Sequence, residues 1–321
     1  MSRSAAQKRI HYVRAVYANH PGISLEKSVR KALNKLSKVV DTEVPHPQLG
    51  VIEIRHRDVT QRDFLRLAIG VGVPNESMST LGIGVAATAD SDHPTSPPNR
   101  RAFKLSDAFC LIDDDDLLVC ADGGIRLSAV NMYLSQVLGK ANASPAAQAF
   151  ELRARLNTDR TKTVEAEGVK ELKISATAYS AHAEDGASNW LHAGWLRMIE
   201  QLREAFEKEA KNDAERDALA QHWGELNISA TIKVKGGSHG EPVVVKSLED
   251  VAKDAIEEAP DGTDVVLVTR RGNHVGTNEL TLGRTVSMKR LNKQNDLDYT
   301  DAWDKLAAYR EELKASGRWK K

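Results

Sequence analysis

Glu171 and Lys173 are the residues whose types and spacing come nearest to a catalytic pair. They lie two residues apart in a predicted strand over residues 169–179, and side chains two apart in a strand point to the same face. A carboxylate there could hold a magnesium ion while the lysine stabilised charge on a phosphate, as in metal-dependent nucleases, with Asp159 upstream as a second ligand. The same spacing is also typical of an ion pair on a half-exposed strand. A metal-dependent nuclease is therefore the alternative prediction.

Two other signatures of catalysis are absent from the sequence. The chain has no Gly-Lys-Ser/Thr motif and no His-x-x-x-His motif. Four successive acids, Asp113–Asp116, lack the glycine and the terminal Glu of a calcium loop, so we interpret them as the solvated turn of a hairpin. Asp90–His93 lie in a polar, proline-rich loop without a second cluster of ligands. We therefore predict that the protein is not an enzyme and needs no cofactor and no metal.

The two cysteines, Cys110 and Cys120, bear on the cellular compartment. In the predicted hairpin Cys110 lies opposite Val119, so Cys120 points to the other face and a disulfide is not expected. The first residues lack an apolar signal core, and no apolar run approaches the roughly 20 residues that span a bilayer. These observations predict a cytoplasmic protein.

Basic residues recur on or at the ends of the predicted strands. If these strands share one sheet, their cations would line a single surface and contact phosphates without reading bases. Aromatic residues make up only 5% of the chain, too few for stacking platforms, so the pattern favours duplex over single-stranded DNA. The strand-associated cations are Arg153, Arg155, Lys170, Lys173, Lys233, Lys235, Lys246, Arg270, Arg271, Lys289 and Arg290.

A second row of cations lies on a predicted helix over residues 24–40. Its members, Lys27, Lys31, Lys35 and Lys38, form either a solvated face or a surface that tracks phosphates. The total charge does not decide between these readings, because 45 basic and 45 acidic residues balance. The distribution is uneven: residues 1–110 carry 16 basic and 10 acidic side chains, and the remainder carries 29 and 35.

The elements that must position these residues are mostly strands joined by short turns, which predicts antiparallel pairing. The longest predicted helices lie between residues 189 and 222, where Trp190 and Trp195 belong to an apolar stripe that could form a dimer contact. The predicted fold class is α+β, with two domains whose mainly antiparallel sheets are packed by long helices. The domains are an N-terminal α+β domain over 1–142 and a C-terminal α+β domain with long Trp-rich helices over 148–321.

Two blocks of the sequence resemble the RexA-like phage-exclusion proteins, the DNA-binding component of lambda-type superinfection exclusion. The first block runs from Ala108–Ile112 through Leu117–Asp122 and continues in Met132–Leu134 and Gly139–Lys140; the second comprises Gly224–Ile228, Lys233–Lys235 and Asp250–Ile256. The resemblance implies a dimeric, cytoplasmic α+β protein that binds DNA with little sequence preference and acts with a membrane partner. Within the second block, Lys233, Lys235 and Lys253 match best and are implied DNA contacts.

The preferred prediction is a non-enzymatic, largely sequence-independent protein that binds duplex DNA and acts in phage defence by abortive infection. It would be a homodimer with a membrane-protein effector as partner. Besides the nuclease, the other alternative is a protein–protein interaction module that uses the lysine helix and the loop over residues 90–101.

Overall fold

The computed structural model describes residues 5–46, 49–74, 76–80, 93–99, 101–177, 227–233, 246, 248, 250–252, 256, 263–291 and 296–320. The chain divides by contact into two compact units, Met1–Leu152 with Arg284–Lys321 and Arg153–Gly283. The first unit is therefore discontinuous in sequence, and the second is contained between its two parts. The predicted domains, 1–142 and 148–321, follow chain order and stay a prediction.

The elements whose bounds the structure describes comprise fourteen strands and six α-helices, and the described residues at 246, 248, 250–252 and 256 are helical as well. The strands are β1 (Ala5–Tyr17), β2 (Val44–His46), β3 (Gly50–Asp58), β4 (Leu65–Val73), β5 (Met78–Thr80), β6 (His93–Thr95), β7 (Phe103–Asp113), β8 (Asp116–Asp122), β9 (Phe150–Ala154), β10 (Val169–Thr177), β11 (Asn227–Lys233), β12 (Thr263–Thr269), β13 (His274–Gly276) and β14 (Gly283–Lys289). The helices are α1 (Leu25–Lys35), α2 (Leu127–Lys140), α3 (Pro145–Gln148), α4 (Thr158–Glu167), α5 (Thr277–Leu280) and α6 (Tyr299–Ala315). A short 3-10 turn covers Val40–Thr42.

The first unit is built on an eight-stranded sheet with the order β14-β1-β8-β7-β4-β3-β2, to which β9 adds by pairing with β1. Its central strands are buried on both faces, which explains why residues 106–113 of β7 are all buried instead of alternating. On one face, Leu67 and Cys110 pack in a core with Leu33 of α1 and Leu134 of α2. On the other face α6 contacts β7 and β8.

Helix α1 shows how local sequence fixes an element. The predicted N-cap is confirmed, because Ser24 Oγ accepts a hydrogen bond from the backbone N–H of Lys27 at 3.4 Å. The helix ends at Lys35, earlier than predicted, so Lys38 lies beyond it. The four lysines therefore do not form one continuous helical row.

The second unit contains a four-stranded sheet with the order β11-β10-β12-β13, in which every neighbouring pair is antiparallel. One face is apolar. Leu172 and Leu267 pack there against Val164 of α4 and against Leu248 and Ile256, both of which are helical. The opposite face carries Glu171, Lys173 and Ser175, since successive side chains of a strand point to opposite faces.

The predicted fold class was wrong. Residues with described structure are mostly antiparallel sheet, 43% strand against 32% helix. Their longest helix is the 17-residue α6, so packing of the sheets by long helices is not seen among them. An apolar stripe shows that a helical face is buried but not what covers it. The predicted Trp-rich helices over 189–222 lie outside the described residues. Within the described part, no helix is both long enough and apolar enough to cross a bilayer.

Candidate functional site

Five basic residues gather towards one end of the sheet in the second unit. Strands β11 and β12 both finish where β10 begins, because Lys233 pairs with Glu171 and Thr269 pairs with Val169. The antiparallel order thus brings the cations of three separate strands together. We call this group the basic end of the sheet; it comprises Lys170, Lys173, Lys233, Arg270 and Arg271.

Glu171 lies between two of these cations. Its Oε2 is 3.2 Å from Lys233 Nζ, and its Oε1 is 3.5 Å from Lys173 Nζ. Burial acts to raise the pKa of the Glu171 carboxyl, but the hydrogen bond from Lys233 and the charges of both lysines outweigh it and hold that pKa below its usual range. The glutamate is therefore ionised at neutral pH and offsets one of the two lysine charges. The lysine side chains stay 41% and 63% exposed, so both can reach a ligand in solvent.

The turn after β12 presents the two arginines. Gly168 has a φ of +70°, and a Cβ there would lie only 3.1 Å from Nε of Arg270, so the glycine permits this side chain to cross it. The backbone N–H of Arg270 donates to the Gly168 carbonyl at 2.9 Å, which fixes the turn against the start of β10. Arg271 is 75% exposed and lies 4.0 Å from the Glu167 carboxylate. Arg270 and Arg271 therefore project from a turn whose backbone is hydrogen-bonded to the start of β10.

Glu167 is the second acid at this end. It accepts from Asn273 Nδ2 at 2.9 Å, and this bond is the largest cause of the lowered pKa of its carboxyl. The basic end therefore holds five cations and two ionised acids, a net charge of +3 (5 − 2).

Several predicted contacts are not part of the basic end. Arg153 lies on β9, which pairs with β1, so the premise that all the strands share one sheet was wrong. Arg155 follows β9, and its carbonyl accepts from the Leu282 N–H at 2.7 Å. Lys246 is helical and exposed. Lys235 and Lys253 lie outside the described residues, and Lys289 and Arg290 belong to the end of β14 in the first unit.

The pair proposed for nuclease chemistry shares one face, as the spacing predicted. Asp159, however, belongs to α4, whose Val164 packs on the opposite, apolar face of the sheet. Among the residues whose structure is described, no group of three or more His, Cys, Asp or Glu side chains could hold a metal ion. The geometry around Glu171 is that of a carboxylate neutralised by lysines.

The run Asp113–Asp116 forms the predicted hairpin, but the prediction that all four acids are solvated was wrong for Asp113 and Asp116. Asp113 and Asp116 are only 6% and 1% exposed. Asp113 accepts from Arg310 Nε at 2.7 Å, from Trp319 Nε1 at 3.2 Å and from Lys320 Nζ at 2.8 Å. These bonds join the hairpin to the C-terminal segment and assign the acids a structural role.

Asp116 and Asp115 tie the same hairpin to the N-terminal part of the chain. Asp116 accepts from the Tyr12 hydroxyl at 2.7 Å and from Arg14 Nη2 at 2.7 Å. Asp115 Oδ1 accepts from the Leu25 backbone N–H at 2.8 Å and so binds a free donor at the start of α1. Four adjacent acids signalled a turn, but nothing local in the sequence identified these partners.

The cysteines behave as predicted. Cys110 pairs with Val119 in the hairpin, and both thiols are free and buried. Burial raises the pKa of each thiol to about 12, so neither is a nucleophile at neutral pH.

Comparison with known proteins adds no family to these observations. No protein-family model matches the chain, and no curated protein matches it. The candidate site therefore rests on the geometry of the basic end and on the pattern of the sequence.

Proposed function

We propose that this protein is a non-enzymatic, largely sequence-independent DNA-binding protein and that the basic end of the second unit's sheet contacts duplex DNA. The observation that carries the proposal is the convergence of Lys173, Lys233 and the pair Arg270–Arg271 from three strands. Lysine and arginine at strand ends contact phosphate oxygens, which repeat along any duplex and carry no sequence information. Binding would therefore depend on charge and spacing rather than on base sequence.

The net charge of +3 sets the expected strength of this contact. Three phosphate contacts correspond to a slope of about −2.7 in log affinity against log salt concentration. Affinity would then fall by about 40-fold between 50 and 200 mM salt. A single copy of the chain would bind weakly, and two copies acting together would bind more strongly and with a steeper salt dependence.

The biological role that we propose is phage exclusion by abortive infection, as a homodimer with a membrane-protein effector. This part of the proposal is supported by the sequence resemblance in two blocks. All of the first block and residues 227–228, 233, 250–252 and 256 of the second block lie among the described residues. DNA binding would place the protein on the phage or host genome, and the effector would carry out the response.

Charge reversal tests the proposed contact. Lys173→Glu with Lys233→Glu should lower affinity for a mixed-sequence duplex at least tenfold at 50 mM salt, measured by fluorescence anisotropy. Lys31→Glu, at an exposed position of α1 in the first unit, is the matched control and should leave affinity unchanged. Undetectable binding by the unaltered protein at 50 mM salt would refute the proposal. Loss of binding with the Lys31 variant alone would move the contact to α1.

A further inference from the structure

Among the strands that the structure describes, β11 lies at an edge of its sheet and lacks the features that usually protect such an edge. Edge strands are commonly short or contain proline, bulges or charges that prevent pairing with another chain. The opposite edge, β13, has three residues, and β2, an edge of the other sheet, has three residues including Pro45. By contrast, β11 has seven residues, no proline and only one charged residue, Lys233.

The backbone of β11 is also regular. Its pairing with β10 runs without a register shift from Glu171–Lys233 to Thr177–Asn227. In the part of the chain that the structure describes, β10 is its only paired neighbour. Ile232 is 39% exposed although its pairing partner, Leu172, is fully buried in the core. A regular strand with an exposed isoleucine at a sheet edge is suited to pairing with a further strand.

The sequence of β11 indicates which strand this could be, because it is symmetric in residue type. It reads Asn227-Ile228-Ser229-Ala230-Thr231-Ile232-Lys233, with Ala230 at the centre. Antiparallel pairing of two copies about Ala230 would set Ser229 opposite Thr231, Ile228 opposite Ile232 and Asn227 opposite Lys233. The hydroxyls of Ser229 and Thr231 would meet across the axis, and no like charges would be directly opposed. A slip of one residue would set isoleucine against polar residues, so the pattern favours this single register.

We propose that β11 pairs antiparallel with β11 of a second copy of this chain, centred on Ala230. The two four-stranded sheets then become one continuous sheet, and the two-fold axis runs perpendicular to it. Lys173 and Lys233 of both copies consequently lie on the same face, with the two Lys233 residues about 20 Å apart along the strands. The pairing itself does not require DNA. Its consequence, a basic surface of twice the size, rests on the proposed function.

Introducing like or unlike charges at positions 229 and 231 tests both the pairing and its register. Both side chains are exposed, and each would face the other across the two-fold axis. Ser229→Glu with Thr231→Glu opposes like charges at two symmetric positions, whereas Ser229→Lys with Thr231→Glu opposes unlike charges there. Both variants place the same glutamate next to Lys173, the pairing partner of Thr231, so they differ only in the sign at position 229.

The readout is the dimer dissociation constant, measured by sedimentation equilibrium without DNA. We expect a dimer for the unaltered chain at micromolar concentration and a dissociation constant roughly 30-fold weaker for the Glu/Glu variant than for the Lys/Glu variant. A monomer at all concentrations of the unaltered chain would overturn the pairing, and so would equal dissociation constants for the two variants. Because DNA is absent, dimerisation can fail while DNA binding is retained, and the converse holds, so the strand pairing and the proposed DNA contact fail separately.

Disulfide trapping gives a second test that does not depend on charge. Ala230→Cys would lie opposite its own copy, with the Cβ atoms about 4.5–5.5 Å apart, close enough for a disulfide after a small adjustment. The native thiols, Cys110 and Cys120, are buried and do not compete. Ser175→Cys, on the interior strand β10, is the matched control. Covalent dimers from the first variant and none from the second support the pairing; equal yields from the two contradict it.

Discussion

Replacing Glu171 by glutamine separates the proposed DNA contact from the nuclease alternative, because the two predict opposite outcomes. The substitution keeps the shape of the side chain and removes the charge that Lys173 and Lys233 share at 3.5 and 3.2 Å. Each lysine then loses its partner and is free to pair with a phosphate. DNA binding should become tighter. In a nuclease, the same change would remove a metal ligand and abolish cleavage.

The magnitude follows from the one negative charge that is removed, which raises the net charge of the basic end from +3 to +4. One additional phosphate contact steepens the slope of log affinity against log salt by about 0.9. Between 50 and 200 mM salt, the affinity of the variant should therefore fall by about 3.5-fold more than that of the unaltered protein. Anisotropy titrations of one duplex at four salt concentrations measure both slopes directly.

Glu312→Gln is the matched control for this experiment. Glu312 is exposed and paired with one cation, Arg284, and it belongs to the first unit. Its substitution should leave the salt slope unchanged. An equal or weaker affinity for the Glu171 variant, with an unchanged slope, would refute the role given to the basic end. Magnesium-dependent nicking of plasmid that disappears in the Glu171 variant would establish the nuclease instead.

Three further predictions concern the first unit. Asp113→Asn should lower the free energy of unfolding by about 3–5 kcal/mol in urea titrations, because it leaves the buried Arg310 charge without its carboxylate. The control is Asp114→Asn, at an exposed side chain in a left-handed conformation that asparagine tolerates; it should change the free energy of unfolding by less than about 0.5 kcal/mol. Burial opposes ionisation of Asp113, but its hydrogen bonds and cationic partners hold its pKa below the unfolded value of about 3.9. The stabilisation that Asp113 gives is therefore complete above that pH and is lost as the pH falls through the folded pKa. In acid unfolding, the free energy of unfolding of Asp113→Asn should decline less steeply with pH than that of the unaltered protein. Cys110 and Cys120 should not react with a disulfide reagent at pH 8 in the folded protein, since burial raises their pKa to about 12. Both should react in denaturant. Rapid labelling of the native protein would contradict the burial of the hairpin.

Features set by local sequence could be predicted. The Ser24 cap depends on residues three apart, and the register of Cys110 with Val119 follows from a short turn between two apolar strands. The shared face of Glu171 and Lys173 follows from the two-residue period of a strand. Each of these signals involves residues close in the chain.

Features set by long-range pairing could not be predicted. Arg153 and Lys173 both lie on strands, yet nothing in either strand shows that the first joins β1 while the second joins β11 and β12. The Asp113–Arg310 pair joins residues 197 positions apart, and an aspartate in a turn is usually solvated. The convergence of Lys233 with Arg270 required the order of three strands, which periodicity does not contain.

The discontinuity of the first unit explains why the acidic hairpin is buried. Its partners come from opposite ends of the chain: Tyr12 and Arg14 from β1, and Arg310 and Trp319 from the segment that returns after the second unit. Trp319 stacks on Tyr12 with ring centroids 4.8 Å apart, so the two termini of the unit are joined directly as well. The second unit, residues 153–283, is therefore an insertion in the sequence of the first unit. Such an insertion can present cations at its strand ends without contributing to the core of the first unit. Charge changes at the basic end should accordingly alter ligand binding while leaving the unfolding of the first unit unchanged.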